Sequence, residues 1–177
     1  MAATDHDLFR LLDRLGIPAE THEHAPVFTV GESASVKAGI PGAHSKNLFL
    51  KDKKGRLFLV AAEHSTVIDL KRLGPLLGAA GRLSFGSADL LFAVLGVTPG
   101  SVTAFSALND VENRVTVVLD AGLVAHDRVN AHPLRNTATT GIASGDLLRF
   151  LRAIGHEPIV MALPAPDCAG TGAHPSS

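Results

Sequence analysis

Three stretches of this 177-residue chain carry polar or cationic side chains where packing alone gives no reason for them. In Gly42-Ala43-His44-Ser45-Lys46-Asn47-Leu48-Phe49-Leu50-Lys51, Lys46 and Asn47 stand at the start of an apolar strand-like run. In Leu95-Gly96-Val97-Thr98-Pro99-Gly100-Ser101-Val102-Thr103, a Gly-x-x-Pro-Gly turn separates two apolar segments. In Val129-Asn130-Ala131-His132-Pro133-Leu134-Arg135-Asn136-Thr137-Ala138-Thr139, a polar, histidine-bearing bend does the same. A lysine ammonium is a compact cation with three donors, suited to a phosphate, a ribose or a polarised carbonyl. Glycines let main-chain N–H groups approach a ligand closely, and such donors stabilise developing negative charge. Each type also has a plain use: a surface lysine at a strand end, a helix-to-strand turn, a satisfied loop histidine.

Familiar signatures of other chemistries are missing. The nine histidines include no His-Glu-x-x-His, and no cysteine cluster accompanies them. His22 and His24 share a strand face, but two histidines do not make a zinc site, so no metal is expected. No Gly-x-Ser-x-Gly elbow is present. Residues 74–81 are glycine-rich, but no Gly-Lys-Ser/Thr follows to cradle phosphate. Cys168, the single cysteine, has no catalytic surroundings. A dispersed Ser-His-Asp triad, being spatial, stays open.

These stretches must be positioned by a mixed set of elements. Thr4 can cap a helix whose Leu8, Phe9, Leu11, Leu12 and Leu15 follow helical spacing, ended by Gly16 and Pro18. Residues 19–24 read as extended, and residues 26–30 as a short strand or loop. A short helix is expected over residues 32–38. Residues 47–50 and 56–62 read as a β-hairpin closed by a turn that ends in Gly55. Residues 67–77 read as a helix interrupted at Gly74-Pro75, and residues 87–95 as a helix with Ser87 as cap and Gly96 as stop. Strands are expected at residues 102–107, 114–119, 129–132, 137–142 and 159–161, with a last helix beginning at Ser144. The order of elements favours one α+β domain over residues 1–163 with a mixed, mostly antiparallel β-sheet flanked by helices. Residues 164–177, rich in Pro, Ala, Gly and Ser, read as a flexible tail. Phe28, Phe49, Phe58, Phe85, Phe92 and Phe105 are expected mostly in the core.

Composition bounds the partners. Apolar residues make up 46% and charged residues 19%, as in globular proteins. No apolar run approaches the ~20 residues of a membrane span. The N-terminus lacks the basic and apolar regions of a signal peptide. With one cysteine, a reducing cytoplasm is the default. The net charge of −1 argues against coating nucleic acid by bulk charge, and no DNA partner is expected. Residues 46–72 nevertheless hold seven basic and three acidic side chains, a local +4 able to meet phosphates.

The chain resembles the YbaK/ProX family of aminoacyl-tRNA deacylases, and within it the freestanding subgroup that edits tRNA for proline. The resemblance rests on Pro26-Val27-Phe28, the Lys46-Asn47 strand start, Arg82-Leu83-Ser84-Phe85-Gly86, the turn from Gly96 to Gly100 and the His132-Pro133 bend, in that order. It implies a mixed sheet flanked by helices, with one pocket that takes the 3′ end of a mischarged tRNA; it says nothing of a metal or organic cofactor, and none is expected. It implies hydrolysis of the ester between alanine and the terminal adenosine of tRNA(Pro), with Lys46 as the key residue and Asn47 and His132 beside it. Gly96, Pro99, Gly100, Ser101, Val102 and Thr103 match pocket positions, with Val30 and Ser33 as further candidates to line the amino-acid pocket. Backbone N–H groups of Gly100, Ser101 and Val102 are the candidate oxyanion donors. The physical need is plain: a missing methylene gives a synthetase only ~1–3 kcal/mol of discrimination, and a second, smaller sieve corrects that. Three alternatives remain: a deacylase for cysteinyl-tRNA(Pro) or another small amino acid, a non-catalytic module binding tRNA or prolyl-tRNA synthetase, and an unrelated esterase.

Overall fold

The computed structural model describes residues 1–26 and 30–167, and of residues 30–33 the backbone alone. Val27, Phe28, Thr29 and Cys168 lie outside the described residues, as do the side chains of Val30 and Ser33. Helix α1 (Asp5–Arg14) starts in a capping box: Thr4 Oγ1 accepts from the Asp7 N–H, and the Asp7 carboxylate accepts from the Thr4 N–H. Its Leu8 and Leu12 turn inward and are buried. Strand β1 (Glu20–Glu23), helix α2 (Val30–Ala38) and strands β2 (Ala43–Lys51) and β3 (Leu57–Glu63) follow. Next come α3 (Leu70–Leu76), β4 (Ser84–Phe85), α4 (Ala88–Leu95) and a 3-10 helix (Ala104–Asn109). The chain continues through β5 (Val115–Asp120), α5 (Ala121–Val124), β6 (Arg128–Ala131), β7 (Ala138–Ala143), α6 (Ser144–Ala153) and β8 (Ile159–Met161).

The strands join in the order β1-β7-β6-β2-β3-β5-β8, with β4 added to β2. The β1–β7, β6–β7, β2–β3 and β2–β4 pairs are antiparallel; β2–β6, β3–β5 and β5–β8 are parallel. The sheet is thus mixed, with antiparallel pairs in the majority, within one α+β fold. Strand β3 is buried on both faces, which explains its unbroken apolar run. On one face Phe49, Leu57, Leu59 and Ala61 join the large core with Leu8, Leu95, Phe105, Phe150 and Leu151. On the other, Leu50, Phe58 and Val60 meet Leu73, Leu83 and Val118 under α3.

Several local expectations give way to tertiary context. Residues 102–107 are not a strand. Thr103 is wholly buried and caps the 3-10 helix through its hydroxyl, which accepts from the Phe105 N–H at 3.3 Å. Alternating apolar residues there fill the large core as a tight helix instead. Helix α3 begins at Leu70, because Asp69 caps it by accepting from the Lys71 and Arg72 N–H groups, and it runs through Pro75. Two of the six phenylalanines, Phe85 and Phe92, are 62% and 57% exposed. The first residues of the expected tail hold to α3: Asp69 N–H donates to Pro164 O at 2.8 Å, and Arg72 pairs with Asp167 at 2.9 Å. Among the described residues, no helix is long and apolar enough to cross a membrane.

Candidate active site

Strand β2 is where the sheet divides. One edge pairs continuously with β3, from Ser45↔Glu63 to Lys51↔Leu57. Among the described residues, the other edge pairs with β6 only at Ala43 and His44, and with β4 only at Leu50 and Lys51. His64 N–H donates to His44 O at 2.8 Å, so the even positions of β2 direct their main-chain groups to β3 and the odd positions to the other edge. Phe49 O obeys this by accepting from Gly86 N–H at 2.9 Å. The Ser45 carbonyl and the main-chain groups of Asn47 therefore look into a notch between β6 and β4, while the Ser45 N–H closes the ladder to Asn130.

Lys46 lies within β2, opposite Ala62. Its Nζ donates to Thr66 O, in the segment leading to α3. Successive strand residues point to opposite faces. Lys46 shares its face with Leu48 and Leu50, the smaller core, whereas Asn47 shares the face of Phe49, the larger one. The adjacent pair is thus split across the sheet. Asn47 Nδ2 donates to Ser45 Oγ at 3.3 Å, and its Oδ1 is buried without a partner among the described residues.

His132 follows β6 in the bend that ends at β7. Asn130 is the register partner of His44, so the even positions of β6 continue the Lys46 face. The His132 Nδ1–H donates to Ala138 O at 3.1 Å, because a carbonyl can only accept. That fixes the tautomer and leaves Nε2 with a lone pair. Burial pushes the His132 pKa below the usual histidine value, His24 and Lys37 add to this, and the Ala138 carbonyl opposes it. The neutral base is therefore favoured. The bend is held in a costly shape: Leu134 has φ 67°, a conformation that bulky residues avoid. Arg135 clamps it by donating to Asp5 Oδ2 at 2.7 Å and to Glu23 Oε1 at 2.6 Å.

Lys37, in the last turn of α2, is a residue that sequence reasoning missed. Burial lowers its pKa, Lys46 adds to the shift, and Glu63 opposes it. Its charge in turn bears on both His44 and His132. His44 is buried, donates through Nε2 to Ile40 O at 3.0 Å, and meets the His64 ring edge-on at 6.3 Å. A basic residue closing a helix is so common that the sequence offers no signal for this role. Among the described residues, no three His, Cys, Asp or Glu side chains are grouped so as to hold a metal ion.

The 96–103 loop is not joined to Lys46, Asn47 or His132 by any hydrogen bond among the described residues. Gly96 ends α4 at φ 66°, and a Cβ there would meet Asn109 Nδ2 at 2.7 Å. Thr103 caps the 3-10 helix. Ser101 N–H donates to Thr98 O at 3.0 Å, so it is already engaged in the turn. Gly100 stands at φ 92° in open space, Pro99 is exposed, and Val102 packs on the large core.

Comparison with known proteins now bears on this geometry. The family described as "Aminoacyl-tRNA editing domain" matches residues 24–150, which contain the notch, Lys46, His132 and the loop. The chain is 40% identical over 158 residues to prolyl-tRNA synthetase associated domain-containing protein 1 of Danio rerio, covering 88% of this chain and 85% of that one. It is 40% identical over 146 residues to prolyl-tRNA editing protein ProX of Acetoanaerobium sticklandii, covering 82% and 88%. The fold matches a solved structure described as a candidate trans-editing enzyme for prolyl tRNA synthetase, with TM-score 0.71 and 18% identity over 94% of this chain and 99% of that one. The chain belongs to the family of aminoacyl-tRNA editing domains, hydrolases that deacylate aminoacyl-tRNA.

Proposed function

We propose that this chain edits in trans, hydrolysing alanyl-tRNA(Pro) to free alanine and tRNA(Pro). The observation that carries the reading is the gathering of Lys46, Lys37 and His132 on one face beside the unpaired stretch of β2. Main-chain N–H and C=O groups left unpaired at a strand edge are donors and acceptors for a ligand, and the 3′ end of a tRNA is single-stranded and anionic. In this reading the ester carbonyl lies beside Lys46 Nζ, which exchanges the Thr66 carbonyl for the developing oxyanion. His132 Nε2 orients the attacking water and takes its proton. The ester bond breaks, the terminal 3′-oxygen leaves with a proton, and alanine is freed as its carboxylate. Lys37 adds a second cation for the phosphate or ribose next to the ester. Asn47 serves the notch through its main-chain groups, its side chain being turned to the other face, where Oδ1 is buried without a partner among the described residues.

In the 96–103 loop, Gly100 and Val102 are the remaining candidates to present main-chain N–H groups, since Ser101 has spent its own. Pro99 belongs to the wall of the same loop, whereas Gly96 and Thr103 serve its shape. Val30 and Ser33, on α2, are candidates for the wall that sizes the amino-acid pocket. Alanine is the substrate in this reading because a proline-sized synthetase pocket cannot exclude it strongly, whereas a pocket too small for proline can select it. The names of the Danio and Acetoanaerobium relatives support tRNA(Pro), and action beside prolyl-tRNA synthetase.

The test is deacylation of alanyl-, cysteinyl- and prolyl-tRNA(Pro), with wild type beside Lys46→Ala. Release of alanine alone, lost in a folded Lys46→Ala variant, is expected. Release of cysteine instead would change the substrate and keep the chemistry. Normal turnover by a folded Lys46→Ala variant would overturn the role of Lys46.

A further inference from the structure

Arg135, in the His132 bend, engages every nitrogen of its guanidinium. Nε donates to Asp5 Oδ2 at 2.7 Å, Nη1 to Glu23 Oε2 at 2.8 Å and to Thr137 Oγ1 at 2.7 Å, and Nη2 to Glu23 Oε1 at 2.6 Å. A planar fork matched to carboxylates in this way fixes direction as well as distance. Both acids precede residue 24, where the match to the editing-domain family begins. Asp5 opens α1, and Glu23 ends β1 opposite Ala138, whose carbonyl accepts from the His132 Nδ1–H. Leu134, between His132 and Arg135, keeps its φ of 67°, and such a conformation persists only where the surroundings over-determine it. Burial raises the Asp5 pKa, but the Arg135 guanidinium outweighs it and holds the carboxyl below its ordinary value; the Arg135 hydrogen bond does the same for Glu23. The clamp therefore stays charged wherever a histidine titrates.

The same short stretch of chain also reaches the 96–103 loop. Ala3 N–H donates to Asn109 Oδ1 at 2.7 Å, and Asn109 Nδ2 donates to Leu95 O at 2.8 Å, at the foot of that loop. The capping box fixes Thr4 between the two attachments. The bend and the loop share no hydrogen bond among the described residues, yet both are moored to residues 3–5.

We infer that the start of α1 and the end of β1 brace the candidate site: Asp5 and Glu23 act through Arg135 as positioning residues that hold His132 in place on the Lys46 face. This rests on the reading of His132 as the base, and the test separates the two. The double variant Asp5→Asn with Glu23→Gln keeps the size of both side chains and releases the bend. Two effects on His132 then have opposite signs. Losing two negative charges, with His24 and Lys37 still bearing on the ring and Arg135 left unpaired, disfavours the imidazolium and lowers the midpoint of its titration. Losing the burial that the clamped bend provides raises the midpoint towards the usual value of about 6.5. Nitrogen-15 NMR on the full chain follows this titration, with the His132 signal identified by its absence from His132→Asn. A raised midpoint is expected in the double variant. Its kcat on alanyl-tRNA(Pro) should fall about ten- to a hundredfold with KM changed less than about threefold, since a misplacement of ~1 Å can cost ~10²-fold. Arg10→Gln, which removes an exposed ion pair from the same helix, should change neither. Thermal melts establish that each variant is folded, and Asp5→Asn alone, a milder change, should show a smaller rise. An unchanged or lowered midpoint in the double variant, or an equal rise in Arg10→Gln, overturns the proposal whatever the turnover. A raised midpoint with unchanged kcat would uphold the brace and refute His132 as the base.

Discussion

At the scale of single residues, the site turns on which proton-bearing atoms remain free. His132 has one nitrogen committed to Ala138 O, and burial holds its pKa below the usual value. If Nε2 accepts the proton of the attacking water, kcat/KM is flat at neutral pH and falls only as pH drops through the lowered pKa, under about 6.5. His132→Asn should remove that limb of the profile and lower kcat by roughly 10²–10⁴-fold, the usual range for a lost general base. A retained acid limb in that variant would assign the titration to another group. Lys46 was singled out by the resemblance and not by its residue type, because a lysine at a strand end is as readily a plain surface residue. Lys37 was not, since only the three-dimensional fold brings its helix end to the same face. The pairing of Lys46 with Asn47 misled, because neighbours in sequence are opposites across a sheet.

At the scale of elements, the notch exists because β2 is fixed at both ends and free between them. Its start is fixed by Asn130, whose Nδ2 donates to Pro41 O at 2.9 Å and to Ala43 O at 3.2 Å. Gly141, facing Asn130 across β6–β7, leaves room for that amide: a Cβ there would meet Asn130 Oδ1 at 2.5 Å and Arg128 Nε at 2.7 Å. Gly141→Ala should therefore destabilise the protein by roughly 1–3 kcal/mol, as overpacking does. Gly145, in the first turn of α6, has nothing within 4 Å of a built Cβ, so Gly145→Ala should stabilise by roughly 0.4–1 kcal/mol. Denaturant midpoints that move in the same direction for both would contradict this account. The hairpin, the capped α1 and α4, and α6 through its apolar periodicity alone, were all readable, although no side chain caps α6. The strand expected at residues 102–107 failed because Thr103 bonds locally and its neighbours fill a core from a helical turn. The parallel pairings of β5 and β6 have no local signature at all, since their partners are distant in sequence.

At the scale of the whole molecule, acid should unfold the protein in two stages. His44 and His132 have pKa values lowered by burial, so the unfolded chain takes up protons first as pH falls. Their contribution is full above about 6.5 and is lost as pH falls below it. Asp52 and Glu63 have lowered pKa values, chiefly through the Ala80 N–H and the Ser65 hydroxyl respectively. Their contribution holds above about 4 and is lost as pH falls through the folded values. Melting temperatures between pH 8 and pH 3 should show both declines, and a flat profile from pH 7 to pH 5 would remove the histidine stage. The sequence reported the uneven charge of residues 46–72; what it could not report is that the fold buries Asp52 in the β2–β3 turn while Lys53, Lys54, Arg56, Lys71 and Arg82 stay exposed.

The contact between Lys46 and Thr66 has a consequence for how such a site tolerates change over generations. The anchor is a main-chain oxygen, so no replacement of the Thr66 side chain can delete it. The side chain contributes separately, by donating from Oγ1 to Asp120 Oδ2 at 3.3 Å. Position 66 can therefore drift in identity while the lysine keeps its resting place. Gaining or losing a single residue between Glu63 and Asp69 would shift the carbonyl out of reach. Length, rather than composition, is the heritable property of that segment.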